Sequence, residues 1–111
     1  MKKLSTQELK SMQGRGEQIT LINVLAAKDF EKTRIPGAHN IPLDDADFTG
    51  RVQQAAGGKG NTVVVYCASE QCPSSTKAAE KLDAAGFTRV FDYKGGAQSW
   101  REAEKSSPVG V

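Results

Sequence analysis

The stretch 62–79 restricts this chain more than any other. It opens with Thr62, Val63, Val64, Val65 and Tyr66, an apolar, β-branched run that reads as a buried strand. It closes in a helical pattern that starts near Pro73, where proline and the cap-type residues Ser74, Ser75 and Thr76 suit a first helical turn. Between strand and helix lies a loop opened by Cys67 and holding Cys72. A thiol at the tip of a strand, facing a helix N-terminus, has a physical reason to react. The positive helix end and unpaired backbone N–H groups both favour a thiolate, so a lowered thiol pKa is expected at Cys67.

The rest of the chain supplies matching elements. Ser5-Thr6-Gln7-Glu8 has the form of a capping box and predicts a helix to about Met12, broken by Gly14-Arg15-Gly16. Ile19, Leu21, Ile22 and Val24 mark a strand over 18–24, and 26–32 reads as a short helix with Phe30 turned inward. The segment 34–43 is dense in turn chemistry around Pro36-Gly37 and Pro42. A polar, acidic stretch over 44–50 leads to a helix over 51–56, and 57–61 forms a loop. Ala78, Ala79, Leu82 and Ala85 keep helical spacing until Gly86; 89–93 reads as a strand, and Gly95-Gly96 turns into a last helix bearing Trp100. The tail over 106–111 is expected to fray. Strands alternate with helices throughout, which predicts one α/β domain over 1–111. Its architecture is a mainly parallel central sheet of about five strands with helices on both faces. Ligands of such sheets bind beyond the carboxyl ends of the strands, where Cys67 falls.

Composition removes several function classes. Basic residues exceed acidic ones by only two and the signs are interspersed, which gives no footprint for nucleic acid or an anionic membrane. No apolar run approaches the roughly 20 residues of a membrane-spanning helix. The basic start lacks the apolar core of an export signal, so a cytoplasmic location is the expectation. Two cysteines and one histidine, His39, are too few for a disulfide framework or a structural zinc site, so neither metal nor cofactor is expected.

Three segments together resemble the rhodanese-like family, and the resemblance covers nearly the whole chain. They are 21–43, with Arg34-Ile35-Pro36-Gly37-Ala38-His39-Asn40-Ile41-Pro42; the strand Val63-Val64-Val65-Tyr66-Cys67; and 78–100, with Gly86-Phe87, Lys94-Gly95-Gly96 and Trp100. The resemblance implies the three-layer rhodanese-like fold and sulfurtransferase chemistry. By that resemblance Cys67 accepts a sulfane sulfur as a persulfide and passes it to a thiol or other nucleophilic acceptor, a protein sulfur acceptor included. The loop behind it, Ala68, Ser69, Glu70, Gln71, Cys72, Pro73, Ser74 and Ser75, would cradle the substrate in backbone N–H groups.

This loop departs from the family's usual form. It reaches its helix later, contains no Lys or Arg, and carries Glu70. A charge contact in a partly desolvated site is worth roughly a few kcal/mol, so thiosulfate, a dianion, is the less favoured donor and polysulfide or a persulfide the more favoured. The related phosphatase reading fails because Pro73 and Ser74 stand where a phosphoryl-binding arginine fork is needed. Asn23 and Leu25 replace the Asp and Arg common in the family. Cys72 is a second sulfur within reach of Cys67 if the loop folds back, which allows a disulfide or sulfur transfer between the two. Its bland alternative is a small buried side chain at the helix entry. Arg34 and Lys94 are the family-matched positions for positive charge at the loop's rim, with solvated surface charge as their default. His39 is expected to make a structural hydrogen bond rather than act as a base. Trp100, Phe87 and Phe30 read as core, and Lys77 as solvent-facing. The alternative to an enzyme is a non-catalytic binding module or a Cys67/Cys72 thiol-redox relay.

Overall fold

The computed structural model describes residues 1–106. In chain order its elements are β1 (Lys2–Lys3), α1 (Thr6–Gly14), β2 (Thr20–Asn23), α2 (Ala27–Thr33), β3 (His39–Asn40), α3 (Phe48–Ala56), β4 (Val63–Tyr66), α4 (Ser74–Ala84), β5 (Val90–Tyr93) and α5 (Gly96–Ser106). The strands form one five-stranded sheet in the order β1-β5-β4-β2-β3, with every pair parallel. The expected α/β architecture is present. No helix among the described residues is long and apolar enough to cross a membrane.

The period of two along β4 builds both halves of the core. Val63 and Val65 face Ile22, Phe48 and Val52 of α3, and Ala78, Ala79 and Leu82 of α4. Val64 and Tyr66 face the other way, against Leu9 and Met12 of α1, Ile35, and Ala97 and Trp100 of α5. Every residue of β4 is therefore fully buried, as expected for a strand covered on both faces.

Local chemistry explains most boundaries. The capping box at α1 forms: Ser5 Oγ accepts from the Glu8 N–H at 3.1 Å and Glu8 Oε1 accepts from the Ser5 N–H at 2.9 Å. Gly86, at φ +97°, stops α4 in the left-handed conformation, while the Phe87 N–H closes onto Leu82 O at 3.1 Å. Trp100 and Phe87 are buried and Lys77 is exposed, as their patterns indicate.

Four details differ from the sequence reading. Helix α3 begins at Phe48, not at 51, because the buried Phe48 ring and Val52 share one face and anchor the extra turn despite Gly50. Strands β1 and β3 were not expected; with two residues each they have no periodicity, and exist only because β5 and β2 offer free edges. Phe30 is only partly buried and lies beneath the Arg34 guanidinium, 4.7 Å from its ring centre. His39 is exposed, and its ring has no hydrogen-bond partner among the described residues, so the expected structural bond is absent. From residue 107 on, the expected frayed tail lies outside the described residues.

Asn23 holds the carboxyl ends of β2 and β4 to the turn after α2. Its Nδ2 donates to Thr33 Oγ1 at 2.9 Å and to the Tyr66 hydroxyl at 3.1 Å, and its Oδ1 accepts from the Leu25 N–H at 3.0 Å. The Tyr66 hydroxyl in turn donates to Thr33 O at 3.0 Å and accepts from the Ile35 N–H at 3.0 Å. All of this is buried, where an orphaned donor costs about 1–3 kcal/mol. Tyr66→Phe, which keeps the ring and deletes only the hydroxyl, is therefore expected to lower unfolding stability by about 1–3 kcal/mol. Urea titration should show an earlier midpoint with unchanged slope; an unshifted midpoint would mean the network does not support the fold.

Candidate active site

Register sets the site before any side chain does. Tyr66, the last residue of β4, is level with Asn23 at the end of β2 and with Tyr93 at the end of β5. The chain leaves β2 toward β3 on one side and β4 toward β5 on the other, so the order of winding reverses between β2 and β4. Ligands of open parallel sheets bind at such a switch point. Cys67 follows Tyr66 there, and alternation carries its side chain onto the α4 face with Val63 and Val65.

The loop from 67 to 73 is held from both ends by backbone groups. Ala97 N–H donates to Cys67 O at 3.0 Å and Gln98 N–H to Ala68 O at 2.9 Å, so the first turn of α5 grips the start of the loop. This contact requires glycine at 96. A Cβ on Gly96 would lie 2.3 Å from Cys67 O, and its φ of +60° is one that other residues rarely adopt. Further on, the Cys72 N–H donates to Ser69 O at 3.0 Å and folds the loop back on itself. Lys94 Nζ fixes the far end by donating to Cys72 O at 3.2 Å.

Folding back brings the two thiols together. Cys67 is fully buried and its Sγ donates to Cys72 O at 3.4 Å; Cys72 is half-buried, and both cysteines are free. Their ionisation is set jointly. Burial pushes the Cys67 thiol up, the Cys72 side chain adds to this, and the N–H and hydroxyl of Ser75 pull the other way without reversing it. At Cys72 burial also opposes ionisation. There, however, the Cys67 thiol, the N–H and hydroxyl of Ser74 and the Ala68 N–H together bring the thiol below its ordinary value. The expected lowering at Cys67 is thus not found. Strand-end burial outweighs the donors at Cys67, whereas the donors outweigh burial at Cys72.

Ser75 is the donor most committed to Cys67. Its hydroxyl is buried with no hydrogen-bond partner, and together with the Ser75 N–H it favours the ionised form of the Cys67 sulfur. A buried hydroxyl left in this way gains its partner only when the sulfur carries charge. Nearby, Thr76 Oγ1 donates to Asp92 Oδ2 at 2.7 Å and ties the first turn of α4 to β5.

The remaining sequence candidates divide clearly. Glu70, Gln71 and Pro73 are exposed on the loop; Ala68, Ser69 and Ser74 are half-buried. Lys94 is hydrogen-bonded to the loop; Arg34 pairs with Glu31 at 2.8 Å, covers Phe30 and lies close enough to Tyr66 to favour the ionised form of its hydroxyl. A depression of about 660 Å³ lined by His39, Asn61, Thr62 and Arg89 lies where β2, β4 and β5 begin, away from Cys67. Two contributors were missed from sequence. The amides of Ala97 and Gln98 act through backbone alone, and Gly95-Gly96 signals only a turn.

The two thiols should therefore alkylate differently. With iodoacetamide, Cys72 is expected to react faster than a model thiol at neutral pH, with its rate rising at a pH below the ordinary thiol range. Cys67 should lag and respond only above that range. Proteolysis at Glu70 separates the two sites for mass spectrometry. Ser75→Ala should slow Cys67 further and leave Cys72 unchanged; a Cys67 that outpaces Cys72 would overturn the assignment of charge.

Comparison with known proteins agrees with this geometry. A family model described as the rhodanese-like domain matches residues 5–103. The maize protein Adenylyltransferase and sulfurtransferase MOCS3-1 is 31% identical over 111 residues, which is 96% of this chain but only 23% of the maize protein. The chain thus spans less than a quarter of the length of that curated relative. The crystal structure of BH2092 from Bacillus halodurans superposes with a TM-score of 0.77 at 29% identity, over 93% of this chain and 73% of that one. Thiosulfate sulfurtransferase from Pseudomonas aeruginosa shares the fold, with a TM-score of 0.81 at 20% identity over 94% of this chain and 19% of that one. With the matched segment running from the cap of α1 almost to the end of α5, the chain belongs to the rhodanese-like domain family.

Proposed function

We propose that this domain moves a sulfane sulfur through a persulfide on Cys67. The observation that carries the reading is the position of Cys67, at the carboxyl end of the middle strand and at the switch point, beside the first turn of α4. The Cys67 thiolate attacks the terminal sulfur of a donor, the donor's S–S bond breaks, and the remainder leaves with the electron pair. An acceptor thiolate then attacks the outer sulfur, and Cys67 is released as thiolate. The Cys67 proton leaves to solvent as the thiolate forms and returns from solvent when Cys67 is released.

Charge favours polysulfide or a low-molecular-weight persulfide over thiosulfate as the donor. The loop itself offers no cation, and the ammonium of Lys94 is already engaged by the Cys72 carbonyl. Glu70 adds an exposed carboxylate on the donor's approach. The acceptor is a thiol of a small molecule or of a protein. Two free thiols in one loop suit a reducing compartment, which speaks for the cytoplasm.

A transfer assay with thiosulfate, polysulfide and glutathione persulfide tests the reading. Turnover is expected to be roughly tenfold or more higher with the last two, since one unfavourable charge contact is worth at least that factor. Cys67→Ser should abolish it with every donor. Glu70→Lys should narrow the gap by raising the thiosulfate rate. Absence of sulfur on Cys67 with all three donors would refute the proposal and leave a binding module.

A further inference from the structure

Resting on that reading, we propose that, when no external acceptor takes the outer sulfur, Cys72 resolves the Cys67 persulfide by attacking its inner sulfur, so that the domain releases hydrosulfide and closes a Cys67–Cys72 disulfide. The balance is simple. The outer sulfur takes a proton from solvent, the Cys72 thiolate forms a bond to Cys67 Sγ, the bond between Cys67 Sγ and the outer sulfur breaks, and the outer sulfur departs as hydrosulfide with the bonding pair. The cysteine pair is oxidised and the sulfane sulfur is reduced. Resetting needs a thiol reductant, either two equivalents of a small thiol or one protein dithiol, which reduces the disulfide by exchange.

Geometry makes the pair available. The Cys72 N–H···Ser69 O turn folds the loop back, the Cys67 thiol reaches the Cys72 carbonyl at 3.4 Å, and each thiol lies within range to alter the other's ionisation. The pairing is not left to a floppy loop. The amides of Ala97 and Gln98 hold the carbonyls of Cys67 and Ala68, and Lys94 holds the carbonyl of Cys72. An intramolecular nucleophile fixed in this way has a large advantage over any thiol arriving from solution.

Leaving-group chemistry then selects which sulfur is attacked. Attack on the outer sulfur expels Cys67 as a thiolate into a position where burial disfavours that charge. Attack on the inner sulfur expels hydrosulfide instead, and the better leaving group departs faster. The attacking group is the thiol of the pair that the Ser74 and Ala68 donors favour as thiolate. A cysteine present only to fill the helix entry would not require these donors around its sulfur.

A single-turnover experiment on the full chain tests this. The reduced protein is mixed with one equivalent of glutathione persulfide, sulfide is trapped, and peptides cut at Glu70 are analysed by mass spectrometry. The wild type is expected to release about one equivalent of sulfide and to link the two peptides by a disulfide. Cys72→Ser and Cys72→Ala should keep the sulfur on Cys67 and release roughly tenfold less sulfide, although the same glutathione is liberated in each. Stable persulfide on Cys67, or on Cys72, in the wild type without the disulfide would overturn the resolving role while leaving sulfur uptake intact. Failure of every variant to acquire sulfur on Cys67 would overturn the uptake itself, and the resolving step with it.

Discussion

Strand β4 has no face that meets water, and the site follows from that constraint. Val63 and Val65 are covered by α3 and α4, Val64 and Tyr66 by α1 and α5, and both edges are paired. A strand enclosed in this way cannot slip by one residue, because slipping exchanges its two faces. The direction of the Cys67 side chain is therefore fixed by packing that begins at Val63. The same enclosure removes Cys67 from solvent and disfavours its charge. Position and reluctance to ionise have one cause.

The loop that follows is built on backbone groups. Its shape is set by N–H donors of Cys72, Ala97 and Gln98 and by carbonyls of Cys67, Ala68, Ser69 and Cys72. Where other members of the fold family place a basic side chain inside the loop, this chain brings Lys94 in from the end of β5 and spends its ammonium on a carbonyl. The consequence is a site with directed donors and little net positive charge. The two sulfurs differ in setting, the Cys67 thiol raised by burial and the half-buried Cys72 thiol lowered by nearby donors.

Much of this was legible in order along the chain. The β-branched run 62–66, the cap at Ser5, the stop at Gly86 and the Cys67 strand end each carry strong local signals, and each is found where the pattern puts it. Signals failed where long-range contact overrode local preference. Phe48 extends α3 across Gly50 because its ring finds the core, and β1 and β3 exist because a neighbour's edge needs partners. Arg34 is matched to the rim by its motif, and its pairing with Glu31 and Phe30 is set by contacts the motif does not show. No motif announces the amides of Ala97 and Gln98, since a backbone N–H has no letter in the sequence.

The sequence by itself determined the alternation of strands and helices, the family, and the presence of a thiol between a buried strand and a helix start. Those depend on periodicity and turn chemistry over short spans, which side-chain identity encodes directly. The tertiary structure alone decided in which direction each thiol's ionisation is shifted. That outcome depends on how deeply β4 is buried and on whether the loop folds back to bring Ser74, Ser75 and Ala68 to the two sulfurs. A helix N-terminus near a cysteine argued for a thiolate at Cys67. Full desolvation of that sulfur, visible only in three dimensions, raises its thiol instead, while nearby donors lower that of Cys72.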